Sequence, residues 1–236
     1  MKSMKAMGLN QYSGTLDPMS AATGMQAARL NALDLIESSK MLLDANKRAH
    51  SAALSVLAIE ECGKVPIILQ IFLGSPDTNV LWKGFRMHVF KGKFHNPGIL
   101  ASAKSFSSRL DKETFARIAD GPPPEFLDGM KQLAWYSECF LAPDGPAWHL
   151  PKNMDWAEKA DMLLAEAKAL AFTIRDRSPE ELEIWKKHFN QLKDKSPDAL
   201  HNMVTGLRDE LVEKKLIKKQ WWDGLLKDIE EICGSH

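Results

Sequence analysis

The sequence predicts an all-α protein: a helical bundle with an appended C-terminal helical subdomain. Three observations carry that expectation. Nearly every periodic stretch repeats its apolar residues at helical spacing, alternating strand patterns joined by hairpin turns are missing, and β-branched residues are few. The 236 residues are 44% hydrophobic and 26% charged, the balance of an ordinary globular chain with length for one large or two small domains.

The elements follow in order. Residues 1–19 read as a flexible segment. A first helix opens near Ser20 and carries Leu30, Leu33, Ile36 and Leu43 on one side. A second runs from Arg48 to Leu73, where Gly74-Ser75-Pro76-Asp77 breaks it. Pro66 lies inside that helix and is expected to kink it, because its ring meets the carbonyl four residues back. A third helix covers Asn79 to Lys93 and stops before Asn96-Pro97-Gly98; a fourth spans Ile99 to Arg109, with a shorter piece to Ala119. Pro122-Pro123-Pro124 introduces a helix over Glu125 to Phe140. An irregular loop, LAPDGPAWHLPKN, leads to an amphipathic helix from Met154 to Arg177, which closes a bundle assigned to residues 20–177. The tail, 178–236, opens on Ser178-Pro179-Glu180-Glu181 and repeats the start at Ser196-Pro197-Asp198. Serine as N-cap with proline at the first helical position starts a helix, and Glu181 completes a capping box. A last helix is expected from Lys218 to Ile232.

Thirty-one basic and thirty-one acidic residues cancel, so net charge selects no partner. Cys62, Cys139 and Cys233 are too scattered for a disulfide framework or a zinc ribbon and suit a reducing compartment. The N-terminus lacks the apolar run of a signal peptide, and Glu60, Glu61 and Lys64 interrupt the longest apolar stretch. A cytoplasmic protein without a membrane partner is expected.

That interrupted stretch, SAALSVLAIEECGKVPIILQIFLG, holds the first candidate residues. At about 100° per residue, Leu54, Leu57, Val65 and Ile68 form one stripe with Glu61 at its centre. Glu60 and Lys64 lie one turn apart on the adjoining face, in the order that favours an ion pair. A helix apolar nearly all round is buried, so Glu61 needs a cation or donors beside it. Either the three charges are structural or they belong to a site.

The second candidate region is the window between Asp77 and Asp111, which has no acidic residue. It holds Lys83, Arg86, Lys91, Lys93, Lys104 and Arg109 with His88 and His95, and its centre, WKGFRMHVFKGKFH, interleaves bases with aromatics. Such a stretch is a candidate polyanion footprint. His88 beside Lys91 and Lys93 offers a proton donor flanked by cations, the pair needed to cleave RNA without a metal. The alternative is a solvated basic face, or one that pairs with Glu60 and Glu61. Carboxylate-bridged di-iron bundles carry Glu-x-x-His pairs, and none occurs here, so neither metal nor other cofactor is expected.

Taken in order, these blocks resemble the AbiV family of abortive-infection proteins, within the HEPN superfamily. ARLNALDLIESSKMLL followed by AALSVLAIEECGK is similar to the family's Ala-rich helix with Glu-Glu-x-Gly-Lys; FRMHVFK is similar to its Phe-x-x-His-x-x-Lys; KQLAWYSE is similar to its tyrosine-bearing helix. The resemblance spans residues 20 to 175 and implies an all-α bundle, often dimeric, in bacterial defence against phage. It implies roles for Glu60, Glu61, Gly63, Lys64, Phe85, His88, Lys91 and Tyr136. Many HEPN proteins are metal-independent ribonucleases that use Arg, four to six residues, then His across a dimer interface. Here Arg86 lies only two before His88, and the residue at the proper spacing is Lys83, which lacks arginine's planar fork.

The expected site therefore has His88 as general acid and base, Lys91 with Arg86 or Lys83 as phosphate clamps, and Glu60, Glu61, Lys64 and Tyr136 as support. Lys93, His95 and Lys104 would bind RNA, tRNA or other translation-related RNA. A homodimer and a phage-encoded trigger or host translation component are the expected partners. The alternative function is a non-catalytic helical toxin or sensor that binds a phage or host protein, with Trp148 in the 141–153 loop, or Trp221-Trp222, as anchors.

Overall fold

The computed structural model describes residues 10–87, 124–191 and 197–218. Among them are seven α-helices: α1 (Pro18–Asp44), α2 (Arg48–Phe72), α3 (Thr78–Arg86), α4 (Pro124–Trp135), α5 (Ala157–Thr173), α6 (Pro179–Gln191) and α7 (Pro197–Glu213). A two-stranded antiparallel ribbon, β1 (Glu138–Ala142) and β2 (Gly145–His149), and a 3-10 turn (Pro151–Asn153) link α4 to α5. The all-α expectation holds, with the ribbon as its exception.

Helix α1 starts two residues earlier than expected. Asp17 is the cap, its carboxylate accepting from the Ser20 amide at 2.7 Å, and Pro18 occupies the first turn, where its missing N–H costs nothing. The segment before it, expected to be loose, is fastened within residues 10–17. Trp82 donates its indole N–H to the Gly14 carbonyl at 2.9 Å, and the Tyr12 ring meets Trp82 edge to face. Asn46, with φ +58°, turns the chain from α1 into α2.

The α1–α2 seam is lined by small side chains, so the two backbones approach closely. Ala21, Ala22, Ala28 and Ala32 of α1 and Ala49, Ala52, Ala53 and Ala58 of α2 are all buried. Three hydroxyls share the seam. Ser39 Oγ donates to the Ser51 carbonyl at 2.9 Å or bonds the hydroxyls of Ser51 and Ser55 at 2.9 and 2.8 Å, which satisfies groups that have no access to water. Helix α2 runs on through Pro66 and packs against α5 through Leu163, Leu164, Ala167 and Leu170. It is the central element: α1, α3, α4 and α5 all lie against it. None of the helices among the described residues is long and apolar enough to cross a membrane.

Three differences from the sequence reading have local causes. Helix α3 ends at Arg86 instead of reaching Lys93. Met87 is extended (φ −95°, ψ 128°), and its amide bonds the Gly84 carbonyl, closing the helix with a tight turn. Helix α4 ends at Trp135 instead of Phe140, and the expected irregular loop over 141–153 contains β2 and the 3-10 turn. Pro143-Asp144 forms the two-residue turn, followed by Gly145 at φ +116°, where only glycine is unstrained.

In the tail, Ser178 caps α6 as expected, its hydroxyl accepting from the Glu181 amide at 3.1 Å. The Glu181 side chain does not complete a capping box; it turns inward to Arg175 and Arg177. Leu182, fully buried, joins Ala21, Met25, Val65, Ile68 and Phe72 in one apolar cluster, so α6 packs directly on α1 and α2. Helix α7 then packs on α6 through Leu207, Leu211 and Ile184. The expected helices from Ile99 to Ala119 and from Lys218 to Ile232 lie outside the described residues, apart from Lys218 itself.

Candidate functional site

The middle of α2 carries Glu60, Glu61, Cys62 and Lys64, and the structure assigns them differently from the helical wheel. Glu60 is the buried carboxylate: it accepts from Lys131 Nζ of α4 at 2.7 Å, with side chains 6% and 9% exposed. The same ammonium lies 2.8 Å from Asp128 Oδ1, one turn back on α4. Glu61 sits nearer the surface and pairs with Lys64 at 2.5 Å. The expected Glu60–Lys64 pair is therefore replaced by Glu61–Lys64 and Glu60–Lys131. The reason is geometric: Glu60 faces α4, where a lysine waits, whereas Glu61 lies on the same edge of α2 as Lys64.

Burial, helped by the charge of Glu61, pushes the Cys62 thiol up to about 12, so it is an inert core residue.

Lys64 also joins α2 to α3. Its ammonium lies 5.2 Å from the centre of the Phe85 ring, a cation–π distance. Phe85 in turn meets Trp82 edge to face at 5.5 Å. The two sequence blocks, AIEECGK and the start of FRMHVFK, thus touch through Lys64 and Phe85. Arg86 is engaged in holding the chain: it donates to the carbonyls of Trp82 and Tyr12 and lies over the Trp82 ring. Lys83 is exposed, and among the described residues it has no ion pair. Of the two expected clamp positions, then, one is occupied with main-chain carbonyls and one is open to a ligand.

His88, Lys91, Lys93, His95 and Lys104 lie outside the described residues. Tyr136 is 51% exposed just past the end of α4, and no hydrogen bond among the described residues joins it to Glu60, Glu61 or Lys64. Lys131 and Asp128 were missed by sequence reasoning. The available signal was a lysine three residues after an aspartate, next to Leu127, Met130 and Ala134 on the same helix. Among the described residues, no group of three or more His, Cys, Asp or Glu is placed to hold a metal ion.

A cavity of about 530 Å³ opens at the other end of α2, between Lys47, Arg48 and His50 on one side and Lys152, Asp155 and Trp156 on the other. None of the candidate site residues lines it. The indole of Trp156 is tied to the Pro151 carbonyl at 2.6 Å, and Arg48 to the Ala157 carbonyl and the Asp161 carboxylate.

Among known families, the model described as AbiV, of the HEPN type, matches residues 20–171. That span begins in α1, ends in α5, and contains every residue of the expected ribonuclease site. No curated protein and no solved structure matches.

Proposed function

The chain belongs to the AbiV family of abortive-infection HEPN proteins, and from that premise we propose that it is a metal-independent ribonuclease acting on tRNA or other translation-related RNA. His88 takes the proton of a ribose 2′-hydroxyl as the oxygen attacks the neighbouring phosphorus. The 5′-oxygen leaves with a proton given back by the imidazolium of His88, giving a cyclic phosphate, while Lys91 and Lys83 offset the charge gained by the phosphate oxygens. Lys93, His95 and Lys104 hold the flanking phosphates. Arg86, bound to two carbonyls, orients the segment instead of clamping phosphate.

What supports the reading is the contact between Lys64 and Phe85. It joins Phe85, in the described start of the acid-free basic window, to charges already paired: Glu61 with Lys64, and Glu60 with Lys131. Carboxylates already held by Lys64 and Lys131 compete less for the cations of the basic window, which suits a polyanion. Tyr136 completes the supporting set, two copies of the chain complete the site, and a phage-encoded trigger or host translation component releases it.

The test is expression of wild type and His88→Ala in cells. Arrest of growth with altered RNA profiles in wild type alone is the expected result. Equal arrest with unchanged RNA in both would remove the nuclease claim.

A further inference from the structure

Residues 10–17 lie before the span that the family model matches, yet they are fastened onto it. This strap is held to α3 by its main chain and by one ring. The Trp82 indole donates to the Gly14 carbonyl at 2.9 Å, and the Tyr12 ring stands edge to face on Trp82, with centroids 5.9 Å apart. Arg86 donates to the Tyr12 carbonyl, and its guanidinium lies 5.5 Å from the centre of the Trp82 ring. The strap also closes on itself. Tyr12 donates its hydroxyl to the Thr15 carbonyl at 2.6 Å, and its ring covers Gly14 so tightly that a Cβ there would meet the hydroxyl oxygen at 2.5 Å.

For all that, the strap is shallowly seated. Gln11, Tyr12, Ser13 and Thr15 are exposed, and Leu16, itself only partly buried, is the side chain that packs against the apolar clusters of the bundle. Segments with few buried contacts open locally at a small free energy. What the strap engages is the planar fork of Arg86, which sits three residues along α3 from exposed Lys83. One nitrogen of the fork is turned to the Trp82 carbonyl at 3.1 Å and the other to the Tyr12 carbonyl. Tyr12 offers a neutral oxygen. A phosphate offers two charged oxygens in the plane that the fork matches, which makes the stronger bond.

We propose that the strap is an autoinhibitory clasp: it holds Arg86 in reserve, and RNA displaces Tyr12 before Arg86 joins Lys83 on a phosphate. The inference rests on the ribonuclease reading above and adds a control to it. Arg86 is then an anchor while the clasp is closed and a phosphate ligand once it opens. A closed clasp weakens binding in proportion to the open fraction. With about one molecule in ten open, the apparent Kd lies about tenfold above that of the open form.

Binding of a labelled single-stranded RNA of mixed sequence tests it, with the full chain carrying His88→Ala so that the probe is not cut. Gly14→Ala expels the Tyr12 ring and Tyr12→Ala removes it. Each should tighten binding by up to about tenfold. Tyr12→Phe, which keeps the ring on Trp82, should bind as the parent does. Adding Arg86→Lys, which keeps the charge and loses the fork, should cancel the gain. Amide hydrogen exchange should quicken over residues 10–16 and stay slow at Leu81 and Trp82, which shows that the fold is kept. A strap that only braces α3 gives the reverse, weaker binding when it is loosened, and that overturns the proposal. Unchanged binding, a gain that survives Arg86→Lys, or no RNA binding by any variant overturns it too. The ribonuclease reading falls on a separate result, equal growth arrest by wild type and His88→Ala, since RNA that is bound but not cut still reports the clasp.

Discussion

Two carboxylates deep in this molecule are held in opposite ways. Glu60, 4% exposed, pairs with the ammonium of Lys131, which also lies against Asp128. Glu181, 1% exposed, is gripped by two guanidiniums: Arg175 in a two-bond fork at 2.5 and 2.7 Å, and Arg177 at 3.5 Å. The planar fork fixes direction as well as charge, whereas an ammonium is a point charge that can turn to another acid. The Glu181 joint therefore locks α6 to the chain leaving α5. The Glu60 pair joins α2 to α4 through a point charge that fixes proximity but not direction.

The comparison breaks most visibly at Glu181. Its replacement by alanine strips the carboxylate from two guanidiniums at once, and burial already draws Arg177 down to about 10 despite Glu181 beside it. Loss of a buried partner costs about 3–5 kcal/mol. Urea unfolding should show a midpoint shift of that size, and a change below about 1 kcal/mol, the scale of an exposed pair, would mean the fork is ornamental.

Lys131→Met comes next, at about 3 kcal/mol, because buried Glu60 and its neighbour Asp128 lose the ammonium between them. Adding Glu60→Gln should recover part of that loss. A double variant as weak as the sum of the singles would show that the two do not interact.

A third carboxyl gives a pH signature. Burial pushes Glu166 of α5 up to about 7. A carboxyl whose folded pKa exceeds its unfolded value of about 4.3 binds its proton more tightly when folded, so stability falls as pH rises between those values. Melting temperature should therefore rise from pH 7.5 to 5.5, an effect on the order of 2 kcal/mol. Glu166→Gln should flatten that rise. An unchanged slope would place its source elsewhere.

How much of this was legible in the sequence depended on the range of the cause. Helices α1 and α2 were readable because spacing and breaker residues act within a few positions, as Gly74-Ser75-Pro76-Asp77 shows, while the Asp17-Pro18 cap that sets the start of α1 was missed. The ribbon was readable in principle from Pro143-Asp144-Gly145, but its short strands lack an alternating polar face, since neither side is a buried core. The end of α3 was hidden, because Arg86 finds its carbonyl partner at Tyr12, 74 residues back. Which of two adjacent carboxylates turns inward was also beyond local reading. On a helix apolar all round, that choice is made by Lys131, 71 residues away.

The smallest expected effect on stability separates structure from function at the site itself. Glu61 and Lys64 are partly exposed, at 14 and 19%, and spaced i,i+3, so their pair contributes about 0.5 kcal/mol. The Phe85 contact adds a similar amount at such a surface. Lys64→Ala should therefore change the unfolding free energy by no more than about 1 kcal/mol. If Lys64 only braces α2 against α3, growth arrest by the variant should match wild type. If it positions the segment that carries His88, arrest should be lost while the fold is kept, and Lys64→Arg, which keeps both the carboxylate and the ring contact, should restore it. Loss of arrest without rescue by arginine would argue that Lys64 meets the substrate directly, and would move it from the floor of the site into the site.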